Sequence, residues 1–281
     1  MFDIKQLDSQ ALLNDLKLAY LSQTVAPLDG MWLCGMVPQA THFGFYSQGN
    51  LVGYYCLNDE GFVLQFYLDP AHQNQATEIF SLLFENSSSH VGNAKGAFVS
   101  TAEPQFLSYC LDHFHSFQVN TLMYQLASSD ELSANQELSI LGEALSSAQL
   151  DATVAFAHSA IGAPRELLND YFTSLIDRQE LFGSWAEGRL IATGECRGYD
   201  SYQTEYADVG MIVSVRERGK GIATKVLKDL VLIAKRKQLK AICSTEKSNT
   251  AAQKAIVRSG FVAQHRILKF INKVGSTNEN C

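Results

Sequence analysis

Val213-Ser214-Val215-Arg216-Glu217-Arg218-Gly219-Lys220-Gly221-Ile222-Ala223-Thr224 is the stretch from which the rest of this 281-residue chain can be read. β-Branched residues lead into it, two glycines alternate with charged residues at its centre, and an amphipathic helix leaves it. That helix sets Ala223, Val226, Leu227, Leu230, Val231 and Ala234 on one side, with Lys225, Lys228, Asp229 and Lys235 on the other. Glycines at 219 and 221 let the backbone come close to an anion, and the N–H groups of the first helical turn favour phosphate.

Outward from this loop, helices are expected at Ala152 to Ile161 and Pro164 to Arg178, with Pro164 in a first turn. A hairpin around Gly188, a strand at Val209 to Val213 and the helix Gly221 to Lys237 follow. A strand at Ala241 to Ser244, a helix from Thr250 to Ser259 and a closing strand complete a mixed α/β fold.

The first half of the chain says the same thing in weaker terms. Gln48-Gly49-Asn50 and Glu187-Gly188-Arg189 are both turns before a strand, and Gly49 and Gly188 stand 139 positions apart. Leu68 and Val213, each ending an apolar run before a helix, are 145 apart; Ser100 and Ser244 are 144 apart, as are Ser116 and Gly260. Four matches in one order at nearly one spacing predict two copies of one fold, the second with a short insertion around Tyr199 to Glu205. The boundary is expected in the small, polar Ala127 to Asn135 stretch, which gives a first domain 1–126, a linker 127–137 and a second domain 138–281.

The net charge of -7 is unevenly spread. Residues 1–140 hold 3 Lys+Arg and 14 Asp+Glu, and residues 141–281 hold 19 and 15, so the halves carry -11 and +4. The acidic half suits cationic partners and the mildly basic half an anionic ligand. Basic residues nowhere accumulate as nucleic-acid binding requires, so no nucleic acid is expected. No apolar run approaches the roughly 18 residues that span a bilayer, and the start lacks a basic-then-apolar leader; no membrane is expected and a cytoplasmic location is. Six scattered cysteines without a C-x-x-C pair predict neither zinc nor a disulfide framework, but small buried side chains.

Arg218, Gly221 and Ala223 resemble motif A of the GNAT superfamily of N-acetyltransferases, R/Q-x-x-G-x-G/A; Arg216, Gly219 and Gly221 fit the same pattern in a shifted register. Val213, five residues before Arg218, favours the first alignment. The resemblance extends from Leu138 to Phe270 through Ser248-Asn249, Ala252 and Arg258-Ser259-Gly260-Phe261. It implies a twisted mixed sheet flanked by helices, with coenzyme A as cofactor and acetyl-CoA as donor. It also implies that the backbone of Met211, Ile212 and Val213 meets the pantetheine arm. Arg218, Gly219, Lys220, Gly221, Ile222, Ala223 and Thr224 would grip the pyrophosphate, and Asn249 would contact the cofactor. Read as a residue alone, Asn249 serves equally as the cap of a helix from Thr250.

Acetyl transfer to an amine needs the nitrogen neutral, hence a carboxylate, or a water held by one, to take the ammonium proton. Members of the family are similar in placing a strand carboxylate shortly before motif A and a tyrosine seven residues after the asparagine; this chain has Asp208 in the first place and Ile256 in the second. Asp208 is the first choice as base, Glu195 the second and Glu205 the third. Ile256 donates no proton, which leaves the leaving thiolate to water or to Tyr199, Tyr202 or Tyr206 of the nearby loop.

The first copy departs further: Leu68-Asp69-Pro70-Ala71-His72-Gln73-Asn74-Gln75-Ala76 has no glycine at all, and a degenerate domain that holds coenzyme A poorly is expected there. Asp112-His113-Phe114-His115 is read as a strand or loop alternation, and with His72 these histidines as surface residues rather than metal ligands. The leading expectation is therefore an acetyl-CoA-dependent transferase acting on a primary amine of a small molecule or peptide, with the acidic half favouring a cationic acceptor. The alternative is an acyl-CoA-binding regulatory or structural protein that has lost its chemistry.

Overall fold

A computed structural model describes residues 2–85, 93–127 and 137–272. In the first half the elements are β1 (Asp3–Gln6), α1 (Asn14–Ser22), a π-helical turn at Met31–Met36 running into the short α2 (Val37–Gln39), β2 (Thr41–Ser47), β3 (Asn50–Leu57) and β4 (Phe62–Leu68). Then come α3 (Ala76–Leu82), β5 (Gly96–Ser100), α4 (Pro104–His113) and β6 (Phe117–Leu126). The second half has α5 (Leu150–Ile161), α6 (Arg165–Asp177), β7 (Leu181–Ala186), β8 (Arg189–Gly198) and β9 (Tyr206–Val213). It continues with α7 (Ile222–Arg236), β10 (Lys240–Glu246), α8 (Thr250–Arg258) and β11 (Phe261–Ile271). No helix among them is long and apolar enough to cross a membrane. Residues 128–136, most of the expected linker, lie outside the described residues.

The chain divides into two compact units, Met1–Leu122 together with His265–Cys281, and Met123–Gln264. In the first unit β1, β2, β3 and β4 form an antiparallel run, β5 joins β4 in parallel, and the far part of β11 pairs antiparallel with β5 from Ile267↔Ser100 to Ile271↔Gly96. Its core packs Phe45, Tyr55, Phe66, Phe80 and Phe106 with Leu268 and Phe270 of β11. In the second unit β7, β8 and β9 are antiparallel, β10 joins β9 in parallel, and the end of β6 lies beside β10.

The repeat is carried by backbone detail as well as by element order. Both hairpins turn through two left-handed residues, Gln48 (φ 50) with Gly49 (φ 83) and Glu187 (φ 50) with Gly188 (φ 72), the type I′ geometry that matches strand twist. Each first strand bulges at the same place, between Phe45 and Tyr46 and between Ser184 and Trp185, 139 positions apart. The excess of the later spacings over that figure falls partly in the β8–β9 connection, seven residues (199–205) against four (58–61) in the first half, where the sequence reading put all of it, and partly in the longer strands β8 and β9.

In the second unit α5 and α6 cover one face of the sheet through Val154, Ala157, Leu168, Phe172 and Leu175. α7 lies close on β8 at Gly194, where an added Cβ would stand 3.1 Å from Val226 and Leu230. Two expectations need correction. Asp229 is not on the solvent side of α7 but 1% exposed. Its Oδ1 accepts from the N–H and hydroxyl of Ser139 at 2.8 and 3.0 Å, and its Oδ2 from the N–H groups of Ile140 and Leu141 at 2.8 and 2.9 Å. A carboxylate with four donors is satisfied away from water, which periodicity among lysines does not reveal. His113 ends α4 rather than lying on a strand or loop, its ring against Phe80 and Phe84.

Candidate active site

The parallel ladder between β9 and β10 is short: Tyr206, Ala207 and Asp208 pair with Lys240, Ala241 and Ile242, and there the register ends although both strands continue. Val209 to Val213 and Cys243 to Glu246 therefore border an opening wedge. On its other side β9 remains zipped to β8, with Gly194↔Met211, Thr193↔Ile212 and Ala192↔Val213. The backbone of Met211, Ile212 and Val213 thus has one edge fixed by β8 and the other beside the wedge.

β9 ends at the glycine loop, after a 3₁₀ turn at Val215–Glu217. Gly219 (φ 80) and Gly221 (φ 78) are left-handed, and a Cβ at either would meet nothing within 4 Å. Among the described residues no backbone acceptor takes the N–H groups of Gly219, Lys220, Gly221, Ile222, Ala223 or Thr224; the first such bond in the helix is Lys225 to the carbonyl of Gly221. Six unclaimed donors with the positive end of the 15-residue α7 behind them fit a pyrophosphate. The Arg218 side chain donates to the carbonyls of Val213 (3.3 Å) and Ala160 (2.7 Å) and so fixes the loop against α5, while Lys220 pairs with Glu217 at 2.9 Å. Asn249 is the cap of α8, its Oδ1 accepting from the N–H of Ala252 at 3.1 Å.

At the mouth of the wedge Asp208 and Glu195 come together around residues the sequence reading did not single out. Arg197, opposite Asp208 in the β8–β9 ladder, sets Nη2 at 3.0 Å from Asp208 Oδ2 and Nη1 at 3.5 Å from Glu195 Oε2. Tyr171 of α6 donates its hydroxyl to Glu195 Oε2 at 2.6 Å and accepts from Arg197 Nη1 at 2.7 Å. Burial works against the charge on Arg197, but the two carboxylates outweigh it and hold its pKa well above an ordinary arginine's. Burial first, and then the Glu195 carboxylate, push the Tyr171 hydroxyl up, so it stays protonated. Arg197 had one signal in the sequence: two residues after Glu195 on a strand, it shares that residue's face. Tyr171 had none.

The other expected residues stand elsewhere. Glu205 is exposed in the β8–β9 connection, and Tyr206 lies under Lys240, whose Nζ is 5.4 Å from its ring centre. Ile256 is 2% exposed, packed inside α8. Cys56, Cys110, Cys196 and Cys243 are buried, Cys34 is exposed, and Cys281 lies outside the described residues. Among the described residues no three His, Cys, Asp or Glu side chains group as metal ligands.

The first unit repeats the wedge, β4 and β5 pairing only at Phe62↔Gly96 and Val63↔Ala97. Asp69 precedes the 3₁₀ turn Pro70–Gln75 as Ser214 precedes Val215–Glu217, and its Oδ1 accepts from the His72 N–H at 3.1 Å and holds His72 Nδ1 at 2.6 Å. Glu103 stands before α4 as Asn249 stands before α8. Its carboxylate turns inward to the Ser100 N–H (2.6 Å) and the Tyr20 hydroxyl.

Sequence models agree with this doubled arrangement: one for an acetyltransferase (GNAT) domain matches residues 9–127, and one for the acetyltransferase (GNAT) family matches residues 149–261. A solved acetyltransferase from the GNAT family of Colwellia psychrerythraea is 49% identical, with 97% of this chain and 100% of that one covered at a TM-score of 0.92. The chain belongs to the GNAT acetyltransferase family. Two more distant GNAT structures share the fold. A tandem GNAT protein from the clavulanic acid biosynthesis pathway is 14% identical, covering 99% of this chain and 100% of its own at a TM-score of 0.63. A GCN5-related N-acetyltransferase from Sphaerobacter thermophilus is also 14% identical, covering 95% and 94% at 0.59. Among curated proteins none matches the chain. The GNAT fold is thus present twice, and only its second copy keeps a glycine loop.

Proposed function

We propose that the second unit is an acetyl-CoA-dependent N-acetyltransferase acting on a primary amine of a small molecule or peptide. The observation that carries this reading is the pair of left-handed glycines with six unclaimed N–H groups at the head of α7, placed at the end of a strand whose edge has come away from its neighbour. Acetyl-CoA would supply the acyl thioester. Gly219, Lys220, Gly221, Ile222, Ala223 and Thr224 hold its pyrophosphate, with Arg218 bracing the loop. Met211, Ile212 and Val213 offer backbone to its pantetheine, and Asn249 offers the amide nitrogen that its capping bond leaves over. A buried carboxylate at the wedge, Asp208 or Glu195, takes the ammonium proton and leaves a neutral nucleophile. The acidic first half, -11 over residues 1–140, supports a cationic acceptor.

Ile256 in the place of the family's tyrosine supports a second reading, an acyl-CoA-binding protein without turnover. Thiol release from acetyl-CoA with polyamines, aminoglycosides, amino acids and peptides separates the two. Transfer to one of these amines is the expected result, and tight coenzyme A binding with no release above the background hydrolysis rate would establish the second.

A further inference from the structure

Two carboxylates share one guanidinium at the wedge, and their surroundings differ. Asp208 occupies the last rung of the β9–β10 ladder, before the strands part, with Oδ2 at 3.0 Å from Arg197 directly across β8. Glu195 stands opposite Gly210, two residues into the unzipped stretch of β9. A Cβ at Gly210 would lie 3.4 Å from Glu195 Oε2 and 3.7 Å from Arg197 Nη2, so the bare glycine gives this carboxylate its room over the backbone that borders the opening. Tyr171 and Arg197 both approach its Oε2, and among the described residues Oε1 has no hydrogen bond. One oxygen is anchored and the other is left over.

We propose that Glu195 takes the acceptor's proton, oriented by Tyr171 as a positioning residue, and that Asp208 serves as the fixed counter-ion of Arg197. This rests on the transferase reading and assigns its base. The acceptor arrives as an ammonium, and two carboxylates against one guanidinium leave one net negative charge to meet it. Its nitrogen gives up two protons in all. The first goes to Glu195, turning carboxylate to carboxylic acid, and then on to solvent. The nitrogen lone pair forms the C–N bond, the C–S bond breaks with its electrons on sulfur, and the second proton ends on that sulfur as the thiol. Tyr171, kept protonated, donates to Glu195 throughout and supplies no proton to the sulfur.

Steady-state kinetics on the full chain test this, with acetyl-CoA and the amine that the wild type uses, at pH 6 to 9, for Glu195→Gln, Asp208→Asn and Tyr171→Phe. Coenzyme A calorimetry and thermal melting monitor binding and folding. Glu195→Gln is expected to lower kcat by roughly two to four orders of magnitude at neutral pH with coenzyme A affinity intact, and to recover part of it at high pH, where more amine is already neutral. Tyr171→Phe removes a donor that favours the charged carboxylate, so the acidic limb of kcat/KM should move to higher pH. Asp208→Asn should lower the melting temperature and reduce kcat by less than Glu195→Gln does. Wild-type kcat in Glu195→Gln, or an unmoved limb in Tyr171→Phe, overturns the assignment. Should Asp208→Asn not fold, the other two variants still decide. A wild type that binds coenzyme A yet acetylates no amine removes the transferase reading before any variant is compared, and this assignment with it.

Discussion

Gly221→Asp should separate folding from cofactor binding, because opposing terms cancel in the first and add in the second. Gly221 is the residue before α7, at φ 78 in open space. An aspartate there meets no neighbour, and the left-handed conformation costs about 1–2 kcal/mol for a residue with a Cβ, less for Asp than for most. Its carboxylate can cap the first turn of α7, worth about 1 kcal/mol. The two offset, and the melting temperature should stay within a few degrees of wild type. Binding receives no such compensation. The new carboxylate takes N–H groups meant for the pyrophosphate, at about 2 kcal/mol for a lost charge-assisted bond. It also sets a negative charge beside the ligand's own, which at about 4 Å and an effective dielectric near 20 amounts to ~4 kcal/mol before solvent screening, about half of that after it. A loss of about 4 kcal/mol is roughly a thousandfold in Kd. Calorimetry with coenzyme A and a thermal scan read both quantities. Unchanged affinity would remove the glycine loop from the site, and a large fall in melting temperature would show that the weaker binding reports unfolding instead.

Asp229→Ala removes the acceptor of four hydrogen bonds from Ser139, Ile140 and Leu141 and should cost about 3 kcal/mol in denaturant unfolding, with Asp229→Asn costing about half; a cost under 0.5 kcal/mol would mean that water replaces the carboxylate. Glu103 is pushed up to about 7 by burial, against the opposing effect of its Tyr20 and Ser100 hydrogen bonds. The folded state therefore binds this proton more tightly than the unfolded one, and the associated stability is present below about pH 4.5 and lost as pH rises to 7. His42, pushed down to about 4 chiefly by burial, pulls the other way over pH 4 to 6.5, so the informative quantity is the difference between wild type and Glu103→Gln. That difference should shift against the wild type by up to about 3 kcal/mol between pH 4.5 and 7; a pH-independent difference refutes the buried-acid account. A chain ending at Gln264 should fail to give a folded first unit, because Ile267 to Ile271 are the antiparallel partners of β5, whereas residues 123–264 include β7, β8, β9 and β10 whole. Native-like amide protection of β5 in the truncated chain would contradict this.

What was legible in the sequence was local. Positive-φ glycines at 49, 188, 219 and 221, β-branched runs and the apolar face of α7 depend on residues a few positions apart, and they gave the copies and the loop. Asp208 was nameable from the family's strand carboxylate ahead of the loop, and Glu195 from its place on the hairpin strand. Their partners were not: Arg197 meets Asp208 only because the β8–β9 register is set across residues 199–205, and Tyr171 arrives from a helix 24 positions before Glu195. Asp229 was misread for the same reason, its donors lying 88 to 90 positions back. Pairing between strands far apart in the chain likewise put residues 267–271 into the first unit, which no periodicity announces.

That last feature sets an order of events during synthesis. The second unit is one unbroken stretch, Met123–Gln264, and has all its residues once Gln264 has been made. The first unit begins earlier and must wait: β5, with all of Gly96 to Ser100 buried in the finished protein, has no antiparallel partner until residues 267–271 leave the ribosome. Through most of translation the nascent chain therefore carries an apolar strand edge of the kind that invites aggregation. The later copy can mature before the earlier one, and factors that shield unpaired strands should matter more to the half that is made first.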